Sequence, residues 1–369
     1  MRVGIPKETR AGEARVALNP EGVAKLAQSG VQTLVEEGAG AAAFFTDEDY
    51  RSMGASVVPN ADTVLSADLI LKVQPPSSPE IAKIHDGAVL ICLLRVLRDV
   101  NLISELSKRN VTTISMELVP RITRAQEMDA LSSQATVTGY KAVLIGAAEL
   151  GRVLPMLTTA AGTLTPARVF ILGAGVAGLQ AIATARRLGA VVSAFDVRPV
   201  AKEQVESLGA TFVAPESTSQ DAETVGGYAQ AQGAEAHQRE LDAIRQHIGN
   251  SDLVITTALV SGRTAPVLIT ADMVHEMKPG SVIVDLAAEA GGNCALTEPG
   301  KTVRHGAVTI IGAVNLASTV PQHASQMYGR NTLRLTQHLI RSGQLSIDLS
   351  DEITSAMVVT HQGVIRVPI

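Results

Sequence analysis

The sequence predicts an α/β protein of two doubly wound domains, each built on a mostly parallel sheet. Three observations carry this. Short β-branched runs alternate with helical patterns along most of the chain, the rhythm of βαβ units with right-handed crossovers. At 369 residues the chain exceeds one ordinary α/β core and suits two domains. Hydrophobic residues make up 46%, aromatics only 2%, and Trp is absent, so the cores must be built from Ala, Val, Leu and Ile, as in sheets covered on both faces.

In the first domain, residues 2–5, 33–36, 69–73, 88–93 and 112–116 read as five buried strands with helical segments between them. Asn19-Pro20-Glu21 marks a helix start, with Asn as N-cap and Pro at the first position. One helical pattern over 128–150 crosses into the second domain, and a polar turn at 163–167 follows it. The second sheet takes residues 168–172, 191–195, 252–257, 281–286 and 308–312 as strands. Between 215 and 233 the pattern lapses into a polar, Gly-containing stretch, which reads as a functional lid. Residues 321–342 read as a long helix, and 345–369 as strands around a Gln362-Gly363 turn that return to the first domain. The expected domains are 1–135 with 320–369, and 136–319.

Composition also excludes classes of function. A net charge of −5 leaves no basic stripe for nucleic acid. The two cysteines, Cys92 and Cys294, read as buried hydrophobes in a reducing compartment, with no metal site implied. The N-terminus lacks a signal peptide, and apolar runs fall short of the ~20 residues of a membrane helix. A soluble, cytoplasmic protein is expected, able to dock on a membrane partner.

The most specific motif is Gly173-Ala174-Gly175-Val176-Ala177-Gly178, placed after strand 169–172 and before a helix over 179–188. A bare G-x-G-x-x-G is weak, but here Gly189, a second strand and Asp196 at its end complete the unit. Gly173 permits the tight turn, Gly175 lets the backbone reach a pyrophosphate, and Gly178 lets helix and strand pack closely. The helix N-terminus offers N–H groups and a positive dipole end to phosphate. Asp196 can accept hydrogen bonds from an adenosine ribose, which favours NAD over NADP; Arg198 reads as a solvated or ribose-flanking residue. These features predict Rossmann-like domains with a nucleotide cleft between them.

A second constellation lies in the first domain. Arg121, Gln126 and Asp129 place a guanidinium, an amide and a carboxylate between a strand and a helix, and Ser132 extends the same face at a spacing of three. Such a set could hold a carboxamide such as nicotinamide, or form a solvated helix cap with local ion pairs.

Over essentially its full length the sequence resembles the NAD(H)-binding component of proton-translocating nicotinamide nucleotide transhydrogenase, and more distantly alanine dehydrogenase. The segments that carry this are IPKETRAGEARVALNP, LKVQPP, PRITRAQEMDALSSQ, GAGVAGLQAIATARRLGA, FDVRP, VGGYA, TTALVSGRTAPVLI, MKPGSVIVDLAAEAGGN and THQGVI. Arg15 and Lys72 stand where alanine dehydrogenase has substrate-binding cations. Leu93, however, replaces its catalytic His, and Glu289 its catalytic Asp. Amino-acid oxidation needs a proton acceptor beside the hydride centre, whereas hydride transfer between two nicotinamides needs none. The resemblance implies that Arg121, Gln126, Asp129 and Ser132 contact or orient the nicotinamide end. It implies cofactor contacts at Val176, Val197 and Arg198, a mobile loop at Gly226, Gly227 and Tyr228, and an adenosine-side position at Leu259. The loop pattern departs from some relatives at Ala229-Gln230-Ala231-Gln232.

The resemblance further implies a homodimeric peripheral subunit of the separate-chain type. NADP(H) is expected on a beta subunit, with a membrane-spanning subunit carrying protons. The alternatives are an alanine dehydrogenase-type enzyme and a non-catalytic NAD(H) sensor.

Overall fold

The structure, a computed structural model, describes residues 1–96, 99–214, 234–259, 264–341 and 343–367; at 234 and 236 it describes the backbone alone. The chain divides into two compact units, Met1–Gln134 with Ala317–Ile369, and Ala135–Leu316. The division near residue 134 falls inside the helix Ala130–Glu149.

The first unit holds β1 (Arg2–Ile5), β2 (Gln32–Glu36), β3 (Ser56–Val58), β4 (Leu69–Leu71), β5 (Val89–Cys92) and β6 (Thr112–Ser115). They pair in parallel in the order β3-β2-β1-β4-β5-β6, and the tail strands Val358–His361 and Val364–Ile365 extend the β6 edge antiparallel. The residues of β4, β5 and β6 are all buried, as expected for strands covered on both faces. The tail is tied to β6 through threonines: Thr360 Oγ1 donates to the carbonyl of Val111 at 2.7 Å and lies 2.8 Å from Thr113 Oγ1. Gln362 and Gly363, at φ 49° and 74°, make the two-residue turn that closes the hairpin.

The second unit carries β7 (Leu157–Thr159), β8 (Gly162–Leu164), β9 (Arg168–Leu172), β10 (Val191–Phe195), β11 (Thr211–Val213), β12 (Leu253–Thr256), β13 (Val282–Asp285), β14 (Thr302–His305) and β15 (Val308–Gly312). Its sheet runs β11-β10-β9-β12-β13-β15-β14, parallel except for β14, while β7 and β8 form a separate hairpin. In both sheets the strand order reverses beside the first strand, at β1/β4 and at β9/β12. Open α/β sheets bind ligands at the carboxyl ends of the strands flanking such a point.

Several elements differ from those the sequence predicts. β3, β11 and β14 are additional; each is short and partly exposed, so it lacks the buried apolar run that marks the other strands. The expected turn at 163–167 is partly β8, because Thr163 pairs with Thr158 across the hairpin. The long helix begins at Ala130, after a 3₁₀ turn over Thr123–Met128, because Asp129 caps it. The glycine-turn helix begins at Val176, three residues before the expected start, so Gly178 lies within it. The helix Pro321–Leu339 ends before 342, where Ile340–Arg341 turns into a strand pairing with Gln344–Leu345. The tail contains a helix, Glu352–Met357, where the sequence predicts only strands; Asp351 accepts the backbone N–H of Thr354 and starts it. The 215–233 stretch lies outside the described residues.

Candidate functional site

In the second unit, β9 delivers the chain into the glycine turn. Gly173 has φ +96°, and a Cβ there would sit 2.7 Å from Thr257 Oγ1. Thr257, just beyond β12, donates its hydroxyl to the Gly173 carbonyl at 2.9 Å and pins the turn. A Cβ on Gly178 would collide with the same carbonyl, so only glycine lets the helix approach this closely. Around Gly175, by contrast, a Cβ would meet nothing within 4 Å. That open cradle, beside the first-turn N–H groups that have no partner within their own helix, fits a pyrophosphate. Val176 is exposed at the helix start.

Asp196 ends β10 and is buried. It accepts the Ala174 backbone N–H at 2.7 Å, which ties β10 to the glycine turn. Arg198 is neither solvated nor merely flanking: its side chain is 15% exposed and forks the Asp196 carboxylate, with Nη2 at 2.8 Å. The bend through half-buried Val197 folds the guanidinium back onto its neighbour, a direction that spacing alone does not show. Buried Glu240, from the helix Ala234–Ile248, stands close enough for the Asp196 charge to act on it. Burial pushes its carboxyl up against the opposing pull of His237 at 3.3 Å.

Two buried residues that sequence reasoning did not single out hold the loops around this turn. Asp285 accepts hydrogen bonds from Thr256 Oγ1, Thr297 Oγ1 and the backbone N–H groups of Ala287, Asn293 and Cys294. Asn293 bonds both backbone groups of Ala258, the residue before Leu259, which is itself exposed. The available signal was a carboxylate ending the apolar run VIVD. Gly139 is a third: a Cβ there would collide with the Ala177 carbonyl, next to the glycine turn. Gly226, Gly227 and Tyr228 lie outside the described residues.

In the first unit the structure brings Asp129 and Ser132 together: Ser132 donates its backbone N–H to Asp129 Oδ1 at 2.9 Å and its hydroxyl to Oδ2 at 2.6 Å. Asp129 is thus a helix cap, and it is half-buried; Gln126 and Arg121 are exposed on the preceding segment. Asn331 on the long helix Pro321–Leu339 donates to the Glu127 carbonyl at 2.8 Å and fixes that segment.

Arg15 and Lys72 are both buried and both engaged. Arg15 forks Glu13 and donates to Gln134 Oε1 at 2.8 Å. Burial opposes ionisation of Glu13, but the hydrogen bonds and charge of Arg15, helped by Gln74, outweigh it and hold its pKa at about 2. Lys72 lies 2.9 Å from Glu80 and 3.5 Å from Glu8. Burial works against the charge on Lys72, yet Glu8 and Glu80 together raise its pKa. Glu8 also receives the backbone N–H of Val73 at 2.6 Å, which joins the loops after β1 and β4. Leu93 is half-buried just past β5, and Glu289 accepts the Asn315 N–H at 3.1 Å. Cys92 and Cys294 are buried thiols, both raised by burial, and no group of residues among those described could hold a metal ion.

A strand, a glycine turn opening a helix, and a carboxylate at the end of the next strand define a dinucleotide-binding α/β protein. The family described as alanine dehydrogenase/PNT matches this chain in both its domains, the N-terminal one over residues 4–138 and the C-terminal one over 142–368. The chain belongs to that family. It is 50% identical to the first portion of NAD(P) transhydrogenase subunit alpha of Rhodospirillum rubrum, a separate chain, covering all of this chain and 98% of the relative. Alanine dehydrogenase 2 of Staphylococcus aureus is 31% identical over 98% of this chain and 94% of its own length. Among solved structures, a transhydrogenase from Sinorhizobium meliloti matches with a TM-score of 0.90 and 45% identity, covering 99% of this chain and 100% of that one. An L-alanine dehydrogenase matches at 0.84 and 28%, covering 99% and 96%.

Proposed function

We propose that this chain is the NAD(H)-binding subunit of a proton-translocating transhydrogenase, passing hydride from NADH directly to NADP⁺ on a beta subunit. The observation that carries the reading is Leu93, an aliphatic side chain where the dehydrogenase branch of the family has its proton acceptor, set beside a complete dinucleotide turn. Bound nucleotide supplies the hydride. The chain's own residues bind and orient: Gly173, Gly175, Val176 and Gly178 take the pyrophosphate, while Asp196, Val197, Arg198 and Leu259 take the adenosine side. Gly227 and Tyr228 cover the nucleotide. Arg121, Gln126, Asp129 and Ser132 orient the nicotinamide end. Arg15 and Lys72, already neutralised by Glu13 and Glu80, are structural.

Among the described residues no helix is long and apolar enough to cross a membrane. In this reading proton movement belongs to a membrane-spanning partner, and this subunit sits peripherally on the inner face of the cell membrane. Homodimer formation is supported by the hairpin β7–β8, whose neighbour Met156 and residue Leu164 are 64% and 54% exposed; a lone two-stranded hairpin is marginal without something to pack on.

The test is reconstitution. The chain alone should bind NADH and oxidise it slowly, and a purified NADP(H)-binding partner should switch on transfer to NADP⁺. An inert mixture, together with alanine oxidation by the chain alone, would sink the proposal.

A further inference from the structure

The carboxylate that would meet a nucleotide's ribose is already saturated by the chain itself. A carboxylate offers about four lone-pair positions. At Asp196, Oδ1 receives the Arg198 backbone N–H at 2.8 Å and Nε at 2.9 Å, while Oδ2 receives the Ala174 N–H at 2.7 Å and Arg198 Nη2 at 2.8 Å. The two backbone donors belong to the glycine turn and to the bend after β10, and neither can leave without unmaking its turn. The guanidinium hangs on rotatable bonds and can leave. A ribose 2′,3′-diol needs acceptor positions on this same carboxylate.

We infer that Arg198 is a resident plug of the ribose subsite, its guanidinium holding the two acceptor positions on Asp196 that a nucleotide's vicinal diol takes. The inference rests on reading the second unit as the nucleotide site. Two consequences follow from the geometry. Apparent affinity for NADH is lowered by the fraction of molecules in which the plug is seated, because only the swung-out form accepts the diol. Once displaced, the guanidinium stays tethered two residues from Asp196 and places a cation by the ribose, where it favours a 2′-phosphate. Arg198 therefore weakens NADH binding and blunts discrimination against NADPH at the same time.

The experiment uses the full chain, whose lack of Trp leaves NADH emission free of that background. Equilibrium titrations with NADH and with NADPH compare the wild type, Arg198→Gln and Arg198→Lys, with thermal unfolding as the check on folding. Arg198→Gln should bind NADH roughly three- to tenfold more tightly and raise the preference for NADH over NADPH. Arg198→Lys, which keeps the charge but cannot fork the carboxylate, should fall between the two and serves if the Gln variant does not fold. Unchanged or weaker NADH binding by a folded Arg198 variant overturns the plug. An equal gain for NADPH overturns the placement of the released cation at the 2′ position. Failure of the wild type to bind NADH overturns the reading of the second unit instead, so the two failures are distinguishable.

Discussion

The two units carry sheets with the same order at their centre, β3-β2-β1-β4-β5-β6 in one and β11-β10-β9-β12-β13-β15 in the other, yet their switch points are built for opposite ends. In the second unit only residues 173–175 separate β9 from its helix, and the turn leaves open space at Gly175. In the first unit residues 6–19 separate β1 from the helix Pro20–Gln28, and the crevice is filled by side chains. Glu8 reaches from the loop after β1 to Lys72 and Val73 after β4, Glu80 closes on Lys72 from the other side, and Arg15 is locked on Glu13. Strand order sets where a crevice forms. The residues leaving the first strand decide whether it stays open.

The largest expected effect comes from opening the filled crevice. Lys72→Met leaves Glu8 and Glu80 as buried carboxylates without their cation, and should lower unfolding free energy by about 3–5 kcal/mol in urea titrations. NADH binding by the molecules that remain folded should be unchanged, because Lys72 lies in the other unit. Loss of binding in a folded variant would break the division of labour.

Next is pH. The folded pKa of Glu13, about 2, lies below its unfolded value, so its stabilising share is fully present above about pH 5 and is lost as pH falls toward 2. That share is about 3 kcal/mol, since the side chain is buried against Arg15. Glu13→Gln should flatten the acid limb of the stability profile, and an unaltered limb would show that the pair contributes nothing there.

Gly178→Ala should follow, at about 1–3 kcal/mol of stability with a loss of NADH affinity of roughly tenfold or more, because its methyl would collide with the Gly173 carbonyl. Calorimetry reads both numbers. The smallest stability effect belongs to Asp129→Ala, about 1 kcal/mol for a lost cap. Asp129→Asn keeps the cap and removes the charge. If Asp129 orients the nicotinamide end, hydride transfer should fall in both variants while adenosine-side binding persists; if it only caps the helix, the Asn variant should transfer normally.

Much of this was legible in the sequence. β4, β5, β12 and β13 announce themselves as unbroken apolar runs because parallel strands are buried on both faces. The glycine turn was legible because strand, spacing and acidic residue must all coincide. What the sequence hid was side-chain direction and long-range pairing. Asp196 and Arg198 are two apart in a bend, and no periodicity tells that the guanidinium turns back. Glu8, Lys72 and Glu80 meet through the fold, and nothing local marks them as partners. The helix Glu352–Met357 was masked by the β-branched residues within and beyond it, although its Asp351 cap could have been read. The hairpin β7–β8 was missed because it is exposed throughout and carries no buried run.

The contrast between the two crevices is tested most directly by the stoichiometry of NADH binding to the full chain, followed by fluorescence titration. Saturation at one NADH per chain, weakened by Gly178→Ala and retained in Lys72→Met, is the result expected if only the second crevice takes nucleotide. Two NADH per chain, or binding that disappears with Lys72 and survives intact in Gly178→Ala, would contradict it.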